Sequence, residues 1–307
     1  MRNVSDLNEQ PGREEWGPTY YDRPMLKAPH WEWNVVTYLF MGGIMGGLGI
    51  IQLLADDKRP PERRLQRTAR VASFALAAVN PGLLISHLGK PERFLNMLRI
   101  VKFKSPMSLG VWGLVAYSGA SGANMLGILR GITSPAHAML GAFISGYTGV
   151  LLSATANPLW SSGKRHIPAA FVCSGVSAAC SLLSLLSHIE GNAEATGKLE
   201  RLELVAGAAE AMILLHFERN AGAYGKPLFT GERGRRLRTY TMLTGIAAPM
   251  ALNMLGAVVT LPKPVDALRS AVASVLTLVG GYILRDSMID AGKASAKDPR
   301  AAFVQPT

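Results

Sequence analysis

Eight stretches of this 307-residue chain are each long and apolar enough to cross about 30 Å of hydrocarbon as a helix of about 20 residues. They run roughly over residues 35–54, 71–88, 107–129, 136–154, 167–187, 202–217, 240–261 and 267–284. Inside lipid every backbone N–H and C=O must find its partner within the protein, so helices are the only sensible spans for such runs. The sixth run is the weakest, because Glu203 and Glu210 interrupt it. Turns built on Pro60-Pro61, Ser105-Pro106, Ser134-Pro135, Asn157-Pro158 and Pro262 with Pro264 separate the runs. The expected fold is therefore all-α and integral to a membrane, with eight transmembrane helices in two four-helix bundles. A polar tail covers residues 1–34, the first bundle 35–160, the second 161–284 and a polar C-terminal tail 285–307.

Composition removes most other classes. With 49% hydrophobic and only 17% charged residues, the protein is neither disordered nor collagen-like, and two cysteines make no disulfide scaffold. The net charge of +11 could suggest nucleic acid, but the Lys and Arg lie in short segments between apolar runs, where membrane proteins keep them, so no nucleic-acid partner is expected. Residues 1–34 carry Glu14, Glu15 and Asp22 and lack the apolar core of a secretory leader, so no cleaved peptide is expected. An even number of spans puts both termini on one side. That side holds 21 of the Lys and Arg against 11 opposite, which favours a cytoplasmic placement, although six of the 11 fall in the first opposite loop, Lys58 through Arg70. The expected location is the inner (cytoplasmic) membrane.

Cys173 and Cys180 stand seven residues apart in one run. Two thiols cannot hold an iron–sulfur cluster, which needs about four ligands, so any cluster belongs to another subunit; the two are read as packing residues, and no metal site is expected. Glycine groups such as Gly42-Gly43 and Gly46-Gly47 are read as close helix contacts. The ionisable and polar groups inside the runs remain, and each is costly there unless it has a function or a partner. Asn80 and Asn124 are read as helix-to-helix hydrogen bonds. Tyr38 early in the first run, Tyr147 late in the fourth and His87 at the end of the second converge on the terminal side of the first bundle. A quinone needs such a place, with two oxygens to hold, an apolar slot and a route for protons. Taken singly, each tyrosine is also an ordinary interfacial anchor.

Several motifs then resemble the polysulfide reductase membrane-subunit (NrfD-like) family. They are Trp33-Asn34-Val35-Val36-Thr37-Tyr38 with the following glycine pairs, Leu88-Gly89-Lys90-Pro91-Glu92-Arg93-Phe94, Ser105-Pro106-Met107-Ser108 with Gly110 and Trp112, and Gly146-Tyr147-Thr148-Gly149 with Pro158-Leu159-Trp160. The second half matches in span count and hydropathy. The resemblance implies a quinone-reactive subunit (menaquinone or ubiquinone), with no haem or iron–sulfur cluster of its own. It implies as partners a ferredoxin-like four-cluster iron–sulfur subunit and a molybdopterin-type catalytic subunit. Tyr38 and Tyr147 fall at the family's quinone-holding places, flanked by Trp33 and Asn34. The polar residue some members carry three places before Tyr38 is Val35 here, and an acidic residue near the end of the second helix is Gly89, which leaves His87 as the nearest proton carrier. Glu210 is a second candidate for proton transfer, or else a hydrogen-bonded structural carboxyl. The basic loop with Lys90, Arg93, Arg99, Lys102 and Lys104 is a solvated face or a dock for an acidic partner. Two rivals remain. A dihaem cytochrome b would pair His87 with His216 or His137 with His188, and a secondary transporter would break equivalent helices of its two halves. A purely structural anchor would tolerate the loss of either phenol.

Overall fold

The computed structural model describes residues 26–55, 59–87, 90 and 92–298, apart from the side chains of His87 and Arg93. All regular structure among them is helical: α1 Trp33–Leu54, α2 Pro60–His87, α3 Glu92–Met97, α4 Pro106–Met125, α5 Arg130–Ser153, α6 Pro158–Ser162, α7 His166–Ile189, α8 Ala193–Asn220, α9 Gly222–Phe229, α10 Gly231–Arg236, α11 Ala248–Val258 and α12 Lys263–Lys297, with a π-helical segment Leu237–Ala247 before α11. Six helical stretches have the length and hydropathy of membrane spans: Trp33–Leu54, Pro60–Ser86, Arg130–Ser153, His166–Ile189, Gly231–Val258 and Lys263–Lys297. The third and sixth apolar runs fold as α4 and α8 but fall outside this set; α4 is diluted by Gly and Ser, and α8 by its acidic residues. Large apolar side chains such as Phe74, Val79, Met139, Met212 and Val272 face outward on several helices, as a multi-pass membrane protein requires.

Each boundary has a local cause. Pro106 and Pro158 open α4 and α6 in the first turn, where the N–H they lack has no helical partner to lose. Ser105 and Asn157 cap these helices by accepting from the Ser108 and Trp160 N–H groups, each at 3.4 Å. The π-helical turns end where Pro249 enters α11. A proline ring would collide with the carbonyl four residues back in an α-helix, and the wider winding relieves that contact. Three helices also run well past their apolar runs, α2 starting at Pro60, α8 at Ala193 and α12 ending at Lys297. Hydropathy marks only the apolar part of a helix, and these ends are charged on one side.

The core is organised around α1, which packs against α2 and α5 and also against α7 and α12. Its glycines divide between the two sides. A Cβ on Gly46 would stand 2.4 Å from the Gly141 carbonyl oxygen of α5, and one on Gly47 would stand 2.6 Å from the Ala179 Cβ of α7. Backbones this close need residues without side chains at the contact, which is the packing role expected of them. Consequently α1 is a wall shared by both halves of the protein. On the side of the termini, Trp160 is buried against α12, its indole N–H donating to the Met288 carbonyl at 2.9 Å, and Trp31 stacks on it with ring centres 5.2 Å apart.

Candidate functional site

Tyr38 on α1 and Tyr147 on α5 are 5% and 6% exposed. Tyr38 lies five residues inside the start of α1 and Tyr147 six before the end of α5, so at about 1.5 Å per residue both sit about 8–9 Å inside the same end of the bundle. The two phenols are within electrostatic reach of each other. Gly110 of α4 seats the second one: a Cβ there would fall 1.9 Å from the Tyr147 Cζ and 2.1 Å from its hydroxyl oxygen. Phe143 stacks on the same ring one turn earlier, at 5.7 Å.

Asn80 of α2 shares this layer, seven residues from the end of its helix. It is fully buried, and neither its amide oxygen nor its nitrogen has a partner among the described residues. Its nitrogen lies 3.8 Å from where a Cβ on Gly42, one turn below Tyr38, would stand. On the sequence alone Asn80 reads as a helix-to-helix bond, and nothing in its neighbours signals otherwise; the geometry instead leaves it unsatisfied beside the phenols. Asn124 does fulfil that expectation, accepting from Ser134 at 3.2 Å and so tying α4 to α5.

The other expected site residues are dispersed. Asn34 is occupied at the start of α1, where its Oδ1 accepts from the Val35 N–H at 2.9 Å. Trp33 is 67% exposed and lines a separate recess of about 200 Å³ with Arg236, Asp286, Asp290 and Lys293. The His87 side chain lies outside the described part of the protein, as do the tail aromatics Trp16, Tyr20 and Tyr21, expected to lie against the partner or the headgroups, and Leu88, Gly89 and Pro91 of the loop motif. Of the histidines considered as haem ligands, His137 meets Ser73 Oγ through Nε2 at 2.9 Å, and Ser73 in turn meets the Tyr117 hydroxyl at 2.6 Å. The His216 Nε2 is engaged by Asn220 at 2.9 Å. The Nε2 atoms of His137 and His216 therefore already have neighbours, whereas His188 Nε2 is buried without a partner among the described residues.

Glu210 belongs to a second polar group, between α7, α8 and α12. Glu200, Glu203 and Glu210 occupy one face of α8 and all point inward, where α12 answers each in turn. Arg269 grips Glu200 through two contacts of 3.0 Å, and Thr277 donates to Glu203 at 2.7 Å. Opposite Glu210 stands Arg285, fully buried, donating to Ser174 Oγ at 2.6 Å and to the Gly281 and Phe171 carbonyls at 2.8 and 3.2 Å. Ser174 is also close enough to Glu210 to act on its charge, and so stands between the two charges. The guanidinium lies against the Phe40 and Phe171 rings, 5.6 and 4.9 Å from their centres. Arg285 and Phe40 therefore stand between Glu210 and the phenol layer. A cavity with about 10 Å³ open to the centre of a water molecule lies among Glu203, Glu210, Ser177 and Thr277, about the room one water needs. Arg285 is hidden in the sequence because it follows the last apolar run by one residue, where it reads as the start of a tail.

The profile of the family described as "Polysulphide reductase, NrfD" matches residues 24–295. The C subunit of the polysulfide reductase of Wolinella succinogenes is 27% identical over 267 residues, covering 73% of this protein and 83% of its own length. Protein NrfD of Escherichia coli is 26% identical over 223 residues, covering 61% of this protein and 70% of its own length.

Proposed function

This chain belongs to the polysulphide reductase NrfD family of membrane subunits of oxidoreductase complexes, and on that premise we propose that it exchanges electrons between the quinone pool and an iron–sulfur partner. It would anchor the complex in the inner membrane through eight spans, α4 and α8 completing the set, with the quinone site in the first four-helix unit and the proton-handling acids in the second. The partners are a ferredoxin-like four-cluster subunit, docked on the side of the termini, and a molybdopterin-type catalytic subunit behind it.

One observation carries the reading. Two phenol side chains, 5% and 6% exposed, stand on different helices at a common depth, near an asparagine whose two amide atoms are buried and without partners among the described residues. Buried polar groups are nearly always hydrogen-bonded, so this layer has unused capacity for a ligand bearing oxygens in an apolar setting. Menaquinone and ubiquinone fit that description, each with two carbonyl oxygens on a flat apolar ring. A bound quinol supplies two electrons and two protons.

The protein's own residues then divide the work. Tyr38 and Tyr147 hold the ligand oxygens by hydrogen bonds, and Asn80 can donate to one oxygen while accepting from a hydroxyl. Asn34 and Trp33, at the start of α1, stand apart from the phenols and take no part in holding the ligand. His87, at the end of α2, takes the proton nearest to solvent. Glu210 exchanges protons deeper in the membrane, through the small cavity it shares with Glu203.

The test is quinol-linked turnover of the purified complex carrying Tyr38→Phe or Tyr147→Phe. Each change deletes one hydroxyl and keeps the ring, and the expected loss is about tenfold, the worth of one well-placed hydrogen bond. Reaction of the catalytic subunit with a soluble dye should be unaltered. Full quinol activity in both variants would leave the phenols as packing residues and the subunit as an anchor only.

A further inference from the structure

On the side of the membrane away from the termini, the first turns of α2 carry Arg63, Arg64, Arg67 and Arg70. Together with Arg130 at the start of α5 they line a cavity of about 660 Å³. α2 and α5 both begin here, so the positive ends of two long helices add to the field of these guanidinium groups. Among the described residues no ion pair engages Arg63, Arg64, Arg67 or Arg130, whereas Arg233, Arg236, Arg238 and Arg269 elsewhere on the molecule are each paired with an acid. A second cavity, of about 700 Å³, shares Arg64, Arg67 and Val71 with the first. Its remaining wall turns apolar along Val71, Ala72 and Ala75 of α2 and Leu186 of α7, and its one acidic residue, Glu190, accepts from Thr68 at 2.7 Å.

We infer that this paired recess is a binding site for an anionic phospholipid, with the phosphate held by the arginines and an acyl tail laid along Val71, Ala75 and Leu186. A guanidinium fork matches phosphate oxygens in pairs, and basic pockets at the ends of membrane helices recognise such headgroups. The polar part lies at the helix ends and the apolar part deeper along the same helix, which is the order of groups in a lipid. An acidic partner protein would account for the arginines but not for the slot leading down from them. A topogenic charge signal would need neither cavity. The site is on the opposite face from the docking side proposed above and does not depend on it.

Lipid retained by the complex in mild detergent, measured by native mass spectrometry after exchange into phosphatidylglycerol or phosphatidylcholine, tests this directly. The parent should keep phosphatidylglycerol in preference to phosphatidylcholine. Arg64→Gln and Arg67→Gln should each weaken retention about fivefold, the worth of about one surface cation at an anionic lipid. Arg201→Gln, the same charge change at an exposed place on α8, should have no effect. Ala75→Trp, at an exposed position, fills the apolar slot and should also release the lipid while leaving the fold intact. Equal loss with Arg201→Gln would reduce the effect to bulk charge. Retention unaffected by Ala75→Trp but competed by millimolar inorganic phosphate would make the recess a soluble-anion site, and arginines covered by another subunit with no lipid present would make it a protein interface; any of these results overturns the assignment.

Discussion

An asparagine with both amide atoms buried and unpartnered is destabilising, since each unsatisfied group costs about 1–3 kcal/mol, so Asn80 makes a sharp residue-scale test. Asn80→Leu keeps the volume and removes the orphaned groups; it should raise the thermal unfolding midpoint of the detergent-solubilised subunit or leave it unaltered. The same variant should raise the KM for quinol several-fold if the amide binds ligand, and a lowered midpoint with unchanged KM would make Asn80 structural. Gly110 offers a second test. Its missing Cβ is what leaves room for the Tyr147 ring, so Gly110→Ala must displace the phenol and should lower quinol turnover at least as far as Tyr147→Phe does. Tyr38 and Tyr147 are legible as candidates because phenols inside apolar runs are conspicuous and their depth can be counted from helix ends. Asn80 and Gly110 are not, because their meaning depends on which helix lies opposite. Asn34 and Trp33 attach to the site only by adjacency in sequence, which a helix converts into divergence.

At the scale of the element, α8 shows why hydropathy is a poor guide to a helix that carries buried acids. Its three glutamates lower its apolar average, yet each faces a donor on α12 or α7 in place of lipid. Glu203 and Glu210 are visible in the sequence; the spacing of Arg269, Thr277 and Arg285 that answers them is not, since it is a property of two helices packed together. Arg285 gives the most direct experiment on this group, because it is the buried cation facing Glu210. Arg285→Met leaves Glu210 buried without the cation that faces it, and an interior charge left uncompensated in this way is strongly destabilising. Adding Glu210→Gln should recover most of that loss. Unfolding of the four members of this cycle in mild detergent measures the coupling, and strictly additive effects would show that Ser174 insulates the charges from each other.

The whole molecule adds the question of which way it faces. The helical, membrane-embedded character of the protein is plain from its apolar runs, but the way its halves join is not, because glycine contacts of α1 with both α5 and α7 are invisible to a hydropathy count. Orientation is a sum over all loops, and here its parts disagree: the total of Lys and Arg favours a cytoplasmic terminal side, whereas the arginines at the start of α2 pull the first loop inward. If those arginines are engaged by lipid headgroups, they are fixed at the bilayer surface on either side and weigh less as a topogenic signal, so the total should prevail. A variant with Cys173 and Cys180 replaced by Ala accepts single reporters at two exposed places, Glu232→Cys between α9 and the π-helical segment and Ala193→Cys at the start of α8. A membrane-impermeant maleimide applied to intact cells should label the cysteine at 193 and spare the one at 232, with the pattern reversed in inverted vesicles. Labelling of both from one side would remove the even number of spans, since an odd number of crossings between the two reporters follows from α8 traversing the bilayer. Labelling at 232 alone in intact cells would keep the span count and give the first loop control of insertion, placing the phenol layer and its docking face outside the cytoplasm.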